Sequence, residues 1–127
     1  METVYFKGTP CHTYGQIPAV GTPAPGFNLA GKGLDEVRLS DYKGKRVVLN
    51  VFPSLDTPVC AASVRKFNQE AAGLENTAVV CISMDLPFAM GRFCSAEGIE
   101  NVTVASAFRS PVFSQEYGLQ IVDGPLA

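Results

Sequence analysis

The stretch of residues 47–67 constrains the fold of this chain most, because an apolar run leads directly into a helix start and a cysteine. The run begins with VVLNVF, which is rich in β-branched side chains and predicts a buried strand. Pro53 ends this strand, since proline has no N–H to donate to a neighbouring strand. Thr57 followed by proline predicts a helix start with a hydroxyl that can cap the first turn. Cys60 is therefore expected in the first turn of this helix.

A cysteine in the first turn of a helix lies in a field that favours its thiolate form. The first backbone N–H groups lack partners within the helix, and the aligned peptide dipoles add partial positive charge. Thr57 lies three residues before Cys60, so its hydroxyl could reach either the Cys60 backbone N–H or the sulfur. We interpret Cys60 as a reactive thiol. The alternative is a buried structural thiol, because free cysteine is often buried.

The sequence around Cys60 resembles the peroxidatic motif of the peroxiredoxins. Residues 53–60 read PSLDTPVC, and the form with serine before the acidic residue is similar to the bacterial thiol peroxidases, an atypical two-cysteine group. The similarity continues in VRKFNQEAA, SMDLPFA, RFCSAEGIENV and QEYG, so it extends over nearly the whole chain from Val4. The resemblance implies a thioredoxin-like fold, reduction of hydrogen peroxide and alkyl hydroperoxides, and recycling by thioredoxin.

The resemblance also implies a role for each of four residues. Cys60 would be the peroxidatic nucleophile, and Cys94 would be the resolving cysteine that closes an intramolecular Cys60–Cys94 disulfide. Thr57 would orient the hydroperoxide, and Pro53 would shield the sulfur from water. The resemblance implies no cofactor, and it suggests a homodimer.

The spacing of the two cysteines implies a conformational change. The helix predicted over residues 85–98 begins at the same sheet edge as Cys60 and runs away from it. Cys94 lies about eight residues along this helix, roughly 12 Å from its start, whereas a disulfide needs Cα atoms within about 7 Å. We therefore expect the first turn of the Cys60 helix and part of the Cys94 helix to unwind in each cycle. The alternative for Cys94 is a packed helix residue.

The remaining cysteines show no pattern of a metal or dithiol site. Cys81 lies within a predicted strand and is interpreted as an inert core residue, while Cys11 lies beside His12, the single histidine. Because no two cysteines have C-x-x-C spacing, neither a metal site nor a thioredoxin-type dithiol exchanger is expected. A cysteine hydrolase would need Cys60 to meet His12, which lies in a different predicted element.

Hydrophobic periodicity and turn residues divide the chain into alternating strands and helices. The predicted strands cover residues 3–7, 11–14, 27–30, 36–39, 47–52, 77–84 and 102–105, and the predicted helices cover residues 58–73, 85–98 and 110–117. The order predicts an α/β three-layer sandwich with a parallel centre, preceded by an N-terminal β-hairpin extension. We expect one domain over residues 1–127, with hairpins and a linker in residues 1–44 and the α/β core in residues 45–127. The expected apolar stripe of the second helix contains Phe88, Ala89, Phe93 and Ala96.

The last residues of the sequence do not complete the pattern of the family. That pattern continues with a strand pair, a C-terminal helix and an arginine that lines the peroxide pocket. We therefore expect a C-terminally incomplete chain, and the alternative is that a partner chain covers the bare sheet edge. Neither Arg65, about 140° round its helix from Cys60, nor Arg109, in a predicted loop, is a good substitute for the missing arginine.

Composition and charge narrow the remaining functions and locations. The 127 residues carry a net charge of −2 without a basic stripe, so nucleic acid is not expected as a partner. No apolar run approaches the roughly 20 residues that span a bilayer. The N-terminus lacks the basic start and apolar middle of a signal peptide, so a cytoplasmic location is expected.

The alternative function is a non-catalytic peroxide sensor or redox binding module that uses the same cysteine, Cys60. Phe88 and Phe113 are expected near a dimer surface.

Overall fold

The computed structural model describes residues 1–127, which form seven strands, three α-helices and one 3₁₀ turn. The strands are β1 (Glu2–Phe6), β2 (Thr9–Thr13), β3 (Asn28–Gly31), β4 (Glu36–Arg38), β5 (Arg46–Val51), β6 (Thr77–Ser83) and β7 (Thr103–Ser106). The helices are α1 (Pro58–Ala71), α2 (Pro87–Glu97) and α3 (Pro111–Glu116), and the 3₁₀ turn is Leu39–Tyr42. All predicted elements are present, and their ends differ from the prediction by at most two residues. None of the helices is long and apolar enough to cross a membrane.

The chain divides into two compact units. Residues 1–26 and 110–127 form the first unit, and residues 27–109 form the second. In the first unit, β1 and β2 pair as an antiparallel sheet, and an isolated bridge joins Thr13 to Ile121. The prediction of one domain over the whole chain remains a prediction.

The second unit is built on a five-stranded mixed sheet in the order β4-β3-β7-β6-β5. Strands β5, β6 and β7 run parallel, while β3 pairs antiparallel with both β7 and β4. The β3–β4 hairpin, which we expected in the N-terminal extension, is therefore part of the main sheet.

The prediction that residues 47–52 form a buried strand is wrong. Strand β5 lies at the edge of the sheet, and its residues are exposed or half-buried. Strand β6 is the strand whose last five residues are all buried. An apolar run indicates a strand, but it does not reveal how many neighbours that strand has, and β5 has only one.

Helices α1 and α2 cover the same face of this sheet. Val64 of α1 packs with Met90 and Cys94 of α2 against Val79 and Cys81, which are alternate residues of β6. Consecutive parallel strands that are added in one direction by right-handed crossovers place their connecting helices on one face. The predicted mixed α/β architecture is confirmed.

The predicted apolar stripe of α2 is confirmed for Phe93, which packs against the core, and is wrong for Phe88 and Ala96. The residues that α2 buries are Pro87, Met90 and Cys94, whereas Phe88 is 68% exposed and Ala96 is also exposed. Apolar residues occur on both sides of this helix, so periodicity alone does not decide which side packs on the sheet. The predicted stop is confirmed, because Gly98 has the left-handed conformation that ends many helices, with φ 66°.

We expect Met90→Ala to destabilise the protein by about 2–5 kcal/mol, because it leaves a cavity in the core. Met90 is fully buried, and Met84 is 49% exposed, so Met84→Ala is the matched control, with an expected change within about 0.5 kcal/mol. Urea denaturation followed by circular dichroism measures the free energy of unfolding of both variants and of the wild type. Equal losses from the two variants would contradict the assignment of the core.

Candidate active site

Cys60 lies in the first turn of α1, as the sequence predicts. Thr57 precedes the helix with extended backbone, φ −95° and ψ 140°, and Pro58 is the first helical residue. Cys60 is a half-buried free thiol, and its Sγ takes part in no hydrogen bond. The neighbouring Val59 is 81% exposed, so the surface of this turn is open.

Thr57 makes neither of the two contacts considered for it. Its hydroxyl donates to the carbonyl of Ser54 at 2.9 Å, and the helix has no side-chain cap. The first helical hydrogen bond runs from the N–H of Ala61 to the carbonyl of Thr57 at 3.0 Å. The N–H groups of Val59 and Cys60 therefore have no acceptor in the protein.

The Cys60 loop, residues 53–57, connects β5 to α1. Pro53 is exposed at its start, and its role as a shield for the sulfur remains a prediction. Leu55 is 4% exposed, because its side chain inserts into the core cluster that also contains Cys94. The N–H of Asp56 donates to the Ser54 hydroxyl at 3.0 Å, which tightens the loop.

Asp85, which is not among the predicted site residues, contacts this loop directly. Its carboxylate accepts hydrogen bonds from the Ser54 hydroxyl at 2.7 Å, the Leu55 N–H at 2.8 Å and the Ser83 hydroxyl at 2.6 Å. A sequence signal exists, since an acidic residue follows a strand and stands two residues after a serine. Only the pairing of β5 with β6 places that acid opposite the Cys60 loop.

Cys94 lies in the third turn of α2 and is only 4% exposed. Burial raises the pKa of its thiol, and the charge of Lys32 opposes that shift. Its carbonyl accepts the N–H groups of Gly98 and Ile99, which close the end of the helix. All four cysteines are free, so Cys60 and Cys94 are separate thiols in this structure.

Polar contacts tie α1 to the Cys94 end of α2. The Arg65 guanidinium lies 2.6 Å from a carboxylate oxygen of Glu97 and 5.8 Å from the ring centre of Phe93. This hydrogen bond holds the pKa of Glu97 below its usual value. The side-chain oxygen of Asn68 accepts the N–H of Asn101 at 2.7 Å. These contacts must break if the end of α2 separates from α1.

Cys81 is a core residue, as interpreted from the sequence. It is fully buried, and this burial raises its pKa to about 11, although a hydrogen bond from Asn50 at 3.7 Å opposes the shift. Cys11 is 3% exposed in the β1–β2 hairpin. Nowhere in residues 1–127 do three or more histidine, cysteine or acidic side chains converge as metal ligands would.

A small cleft of about 180 Å³ lies between the Cys60 loop and α2. Asp56 and Asp85 line one side, and Arg92 and Phe93 of α2 line the other. Its small size and mixed charge distinguish it from the large apolar pockets that hold cofactors.

The fold and the site together define a class of protein. Helices α1 and α2 pack on a mixed β-sheet, and Cys60, the one cysteine that is not buried, lies in the first turn of α1. The family model described as Redoxin matches residues 19–127. The thiol peroxidase of Corynebacterium glutamicum is 56% identical over 126 residues, covering 99% of this chain and 76% of the relative. The thiol peroxidase of Mycobacterium tuberculosis is 52% identical over 127 residues, covering 100% of this chain and 76% of the relative.

Solved structures agree with the sequence relatives. A peroxiredoxin-like protein from Aquifex aeolicus superposes with a TM-score of 0.92 at 44% identity, covering 98% of this chain and 72% of that one. A thiol peroxidase from Chromobacterium violaceum has a TM-score of 0.85 at 20% identity, covering 98% and 73%, and it supports the fold alone. The chain belongs to the redoxin family, within its thiol peroxidase group, and is a peroxiredoxin-type enzyme. The resemblance and the thioredoxin-like fold expected from the sequence are confirmed.

We expect iodoacetamide at pH 8 to label Cys60 first in the native protein. Cys94 is buried, and Cys81 is buried with a pKa of about 11, so only about one thousandth of it is thiolate at that pH. Below pH 11 the fraction of Cys81 thiolate falls tenfold per unit, so a lower pH protects it further. Peptide mapping by mass spectrometry measures the order of labelling.

In denaturant, all four cysteines should be labelled at similar rates, because burial no longer separates them. Native labelling of Cys81 or Cys94 as fast as Cys60 would contradict the burial described above.

Proposed function

We propose that this enzyme is a thiol-dependent peroxidase that reduces hydrogen peroxide and alkyl hydroperoxides through Cys60. The observation that carries this proposal is the half-buried thiol of Cys60 in the first turn of α1, where the backbone N–H groups of Val59 and Cys60 have no acceptor. The thiolate form of a cysteine is the nucleophile, and the free N–H groups at a helix start can donate to an oxygen that gains negative charge. The other three cysteines are at most 4% exposed, so peroxide in solution meets Cys60 first.

In the first step, the Cys60 thiolate attacks one oxygen of the hydroperoxide and the oxygen–oxygen bond breaks. The sulfur is oxidised to a sulfenic acid, and the other oxygen leaves as alkoxide or hydroxide and takes up a proton. The free N–H groups of Val59 and Cys60 are candidates to stabilise the charge that develops on the oxygens. We propose that Thr57 orients the hydroperoxide and that Pro53 shields the Cys60 sulfur from water.

In the second step, the Cys94 thiol attacks the Cys60 sulfenic acid. A sulfur–sulfur bond forms, the sulfur–oxygen bond breaks, and water leaves. Because Cys94 is 4% exposed and packed in the core, this step requires the first turn of α1 and part of α2 to unwind. Local opening of this kind is drawn from the less stable parts of a structure.

In the third step, a dithiol reductant restores the enzyme, and we propose thioredoxin for this role. One reductant thiol attacks the Cys60–Cys94 disulfide, and the second resolves the mixed disulfide, so both cysteines return as thiols. The peroxiredoxin-type family supports this assignment.

A homodimer and a cytoplasmic location remain predictions. Phe88 is 68% exposed on α2 and offers an apolar surface to a second copy. Phe113, which we also expected near such a surface, is only 4% exposed, because its ring packs on Tyr117 with centroids 4.8 Å apart. Phe88 is therefore the aromatic residue that stays a candidate for a dimer surface.

We expect Cys60→Ser to abolish hydroperoxide reduction, because a serine hydroxyl is not ionised at neutral pH and forms no sulfenic acid. Peroxide consumption with thioredoxin, its reductase and NADPH measures turnover, and Cys11→Ser is the control, since Cys11 lies in the β1–β2 hairpin. Turnover by Cys60→Ser at the wild-type rate would refute the nucleophile. One oxidation per wild-type molecule without turnover would favour the peroxide sensor instead.

We expect Cys94→Ser to react once with peroxide and then accumulate Cys60 sulfenic and sulfinic acids, because no second thiol traps the first product. Intact mass after one equivalent of peroxide should show loss of two hydrogens in the wild type and gain of oxygen in the variant. An intramolecular disulfide in Cys94→Ser would assign the resolving role to another cysteine.

A further inference from the structure

The carboxylate of Asp85 is the hydrogen-bonding centre of the region around Cys60. It accepts direct hydrogen bonds from the Ser54 hydroxyl, the Leu55 N–H and the Ser83 hydroxyl, at 2.6–2.8 Å. Ser83 is 2% exposed and Leu55 is 4% exposed, so the bonds lie in a region that excludes water on that side. In such surroundings a hydrogen bond is stronger than in water, and a lost acceptor is costly.

The effect of Asp85 is transmitted to Cys60 through a short chain of contacts. Ser54, held by Asp85 through its hydroxyl, accepts the hydroxyl and the N–H of Thr57 at its carbonyl, at 2.9 and 3.2 Å. Thr57 in turn accepts the first helical N–H, from Ala61. The direction in which α1 starts, and so the place of the Cys60 sulfur and its free N–H, depends on this chain.

The backbone of Asp85 is held as firmly as its side chain. Its N–H donates to the Ser83 hydroxyl at 3.2 Å, and its carbonyl accepts the Ser106 hydroxyl from the end of β7. Ser106 is 1% exposed and also accepts the N–H of Phe108. The carboxylate is thus anchored on the ends of two parallel strands, and the Cys60 loop is the part that it positions.

We propose that Asp85 is a positioning residue for Cys60, and that its carboxylate holds the Cys60 loop in the geometry that reacts with hydroperoxides. This inference rests on the proposed peroxidase function of Cys60. Asp85 acts through Ser54 and Leu55, by accepting their hydrogen bonds, and it takes no part in the bond changes.

Four variants separate this role from a general loss of stability. Asp85→Ala removes the acceptors of all three hydrogen bonds. Asp85→Asn keeps one oxygen that accepts from Leu55 and Ser83, and its NH₂ group can donate to the Ser54 hydroxyl. This variant should therefore retain the reactivity of Cys60 with hydrogen peroxide. Tyr117→Phe is the matched control, because it removes a hydroxyl that donates to the Pro25 carbonyl at 2.6 Å and touches none of the Asp85 contacts. Ser54→Ala removes the hydroxyl that donates to Asp85 and keeps the carbonyl that accepts from Thr57, so it tests the link between Asp85 and the Cys60 loop.

The first readout is the ratio of two rate constants of Cys60, with hydrogen peroxide and with iodoacetamide, measured on the folded protein. A general loss of structure changes the rate constants with both reagents. A loss of positioning lowers mainly the rate constant with hydrogen peroxide, because that reaction needs oriented hydrogen-bond donors. We expect Asp85→Ala to lower the ratio by about tenfold to a hundredfold, since small misplacements have effects of this size. Asp85→Asn should stay within about fivefold of the wild type, the equivalent of one hydrogen bond. When Ser54→Ala is combined with Asp85→Ala, the ratio should fall little further than in Asp85→Ala alone.

The second readout is amide hydrogen exchange, which does not depend on activity. Asp85→Ala should speed the exchange of the Leu55 and Asp56 amides, and Tyr117→Phe should leave them unchanged. If Asp85→Ala does not fold, Ser54→Ala supplies the peroxide ratio, because it removes one of the three bonds to the Asp85 carboxylate. The Asp56 amide loses its own acceptor in that variant, so its exchange is not compared. An unchanged ratio or unchanged exchange in Asp85→Ala overturns the positioning role, as does an unchanged ratio in Ser54→Ala where that variant takes its place. An equal effect of Tyr117→Phe also overturns it.

The two proposals fail in different ways. If the wild-type Cys60 reacts with peroxide no faster than free cysteine, the peroxidase function fails, and amide exchange alone decides whether Asp85 holds the loop. If the wild type reacts rapidly and Asp85→Ala keeps the same ratio, the peroxidase stands and the positioning role is wrong.

Discussion

The parallel pairing of β5 with β6 brings the two parts of the site together. Asn50 lies beside Cys81 and Val51 beside Ile82, and the N–H of Phe52 extends the ladder to the Ile82 carbonyl at 3.1 Å. Because the carboxyl ends of parallel strands meet at one edge, the loop that leads to Cys60 emerges next to the segment that leads to Cys94. A shift of this pairing by one residue would turn the buried face of each strand outward. The site therefore depends on this register.

Two opposing demands act on the elements that carry the cysteines. Cys94 contributes to the core, and the contacts of Arg65 with Glu97 and of Asn68 with Asn101 hold its helix against α1. The proposed disulfide requires these same elements to open. The Arg65–Glu97 pair is largely exposed, and exposed ion pairs contribute little stability, so it is a weak restraint. The apolar packing of Cys94 is the larger barrier.

Much of the fold could be predicted because its signals are local. All three α-helices begin with a proline, and α2 ends at a glycine with positive φ, so their limits follow from backbone geometry. The position of Cys60 at a helix start followed from the same signals. The choice between Phe88 and Met90 as the buried side of α2 did not, because both faces carry apolar residues and docking on β6 makes the selection.

The sequence by itself determined where the strands and helices lie, that Cys60 lies in the first turn of a helix, and which family the chain resembles. Each of these depends on neighbouring residues and on motifs that are continuous along the chain. Only the tertiary structure decided that β5 is an edge strand, that Cys94 is buried, and that Asp85 meets the Cys60 loop. These features join residues as many as 31 positions apart, and strand order and helix docking, which no local pattern encodes, bring them into contact.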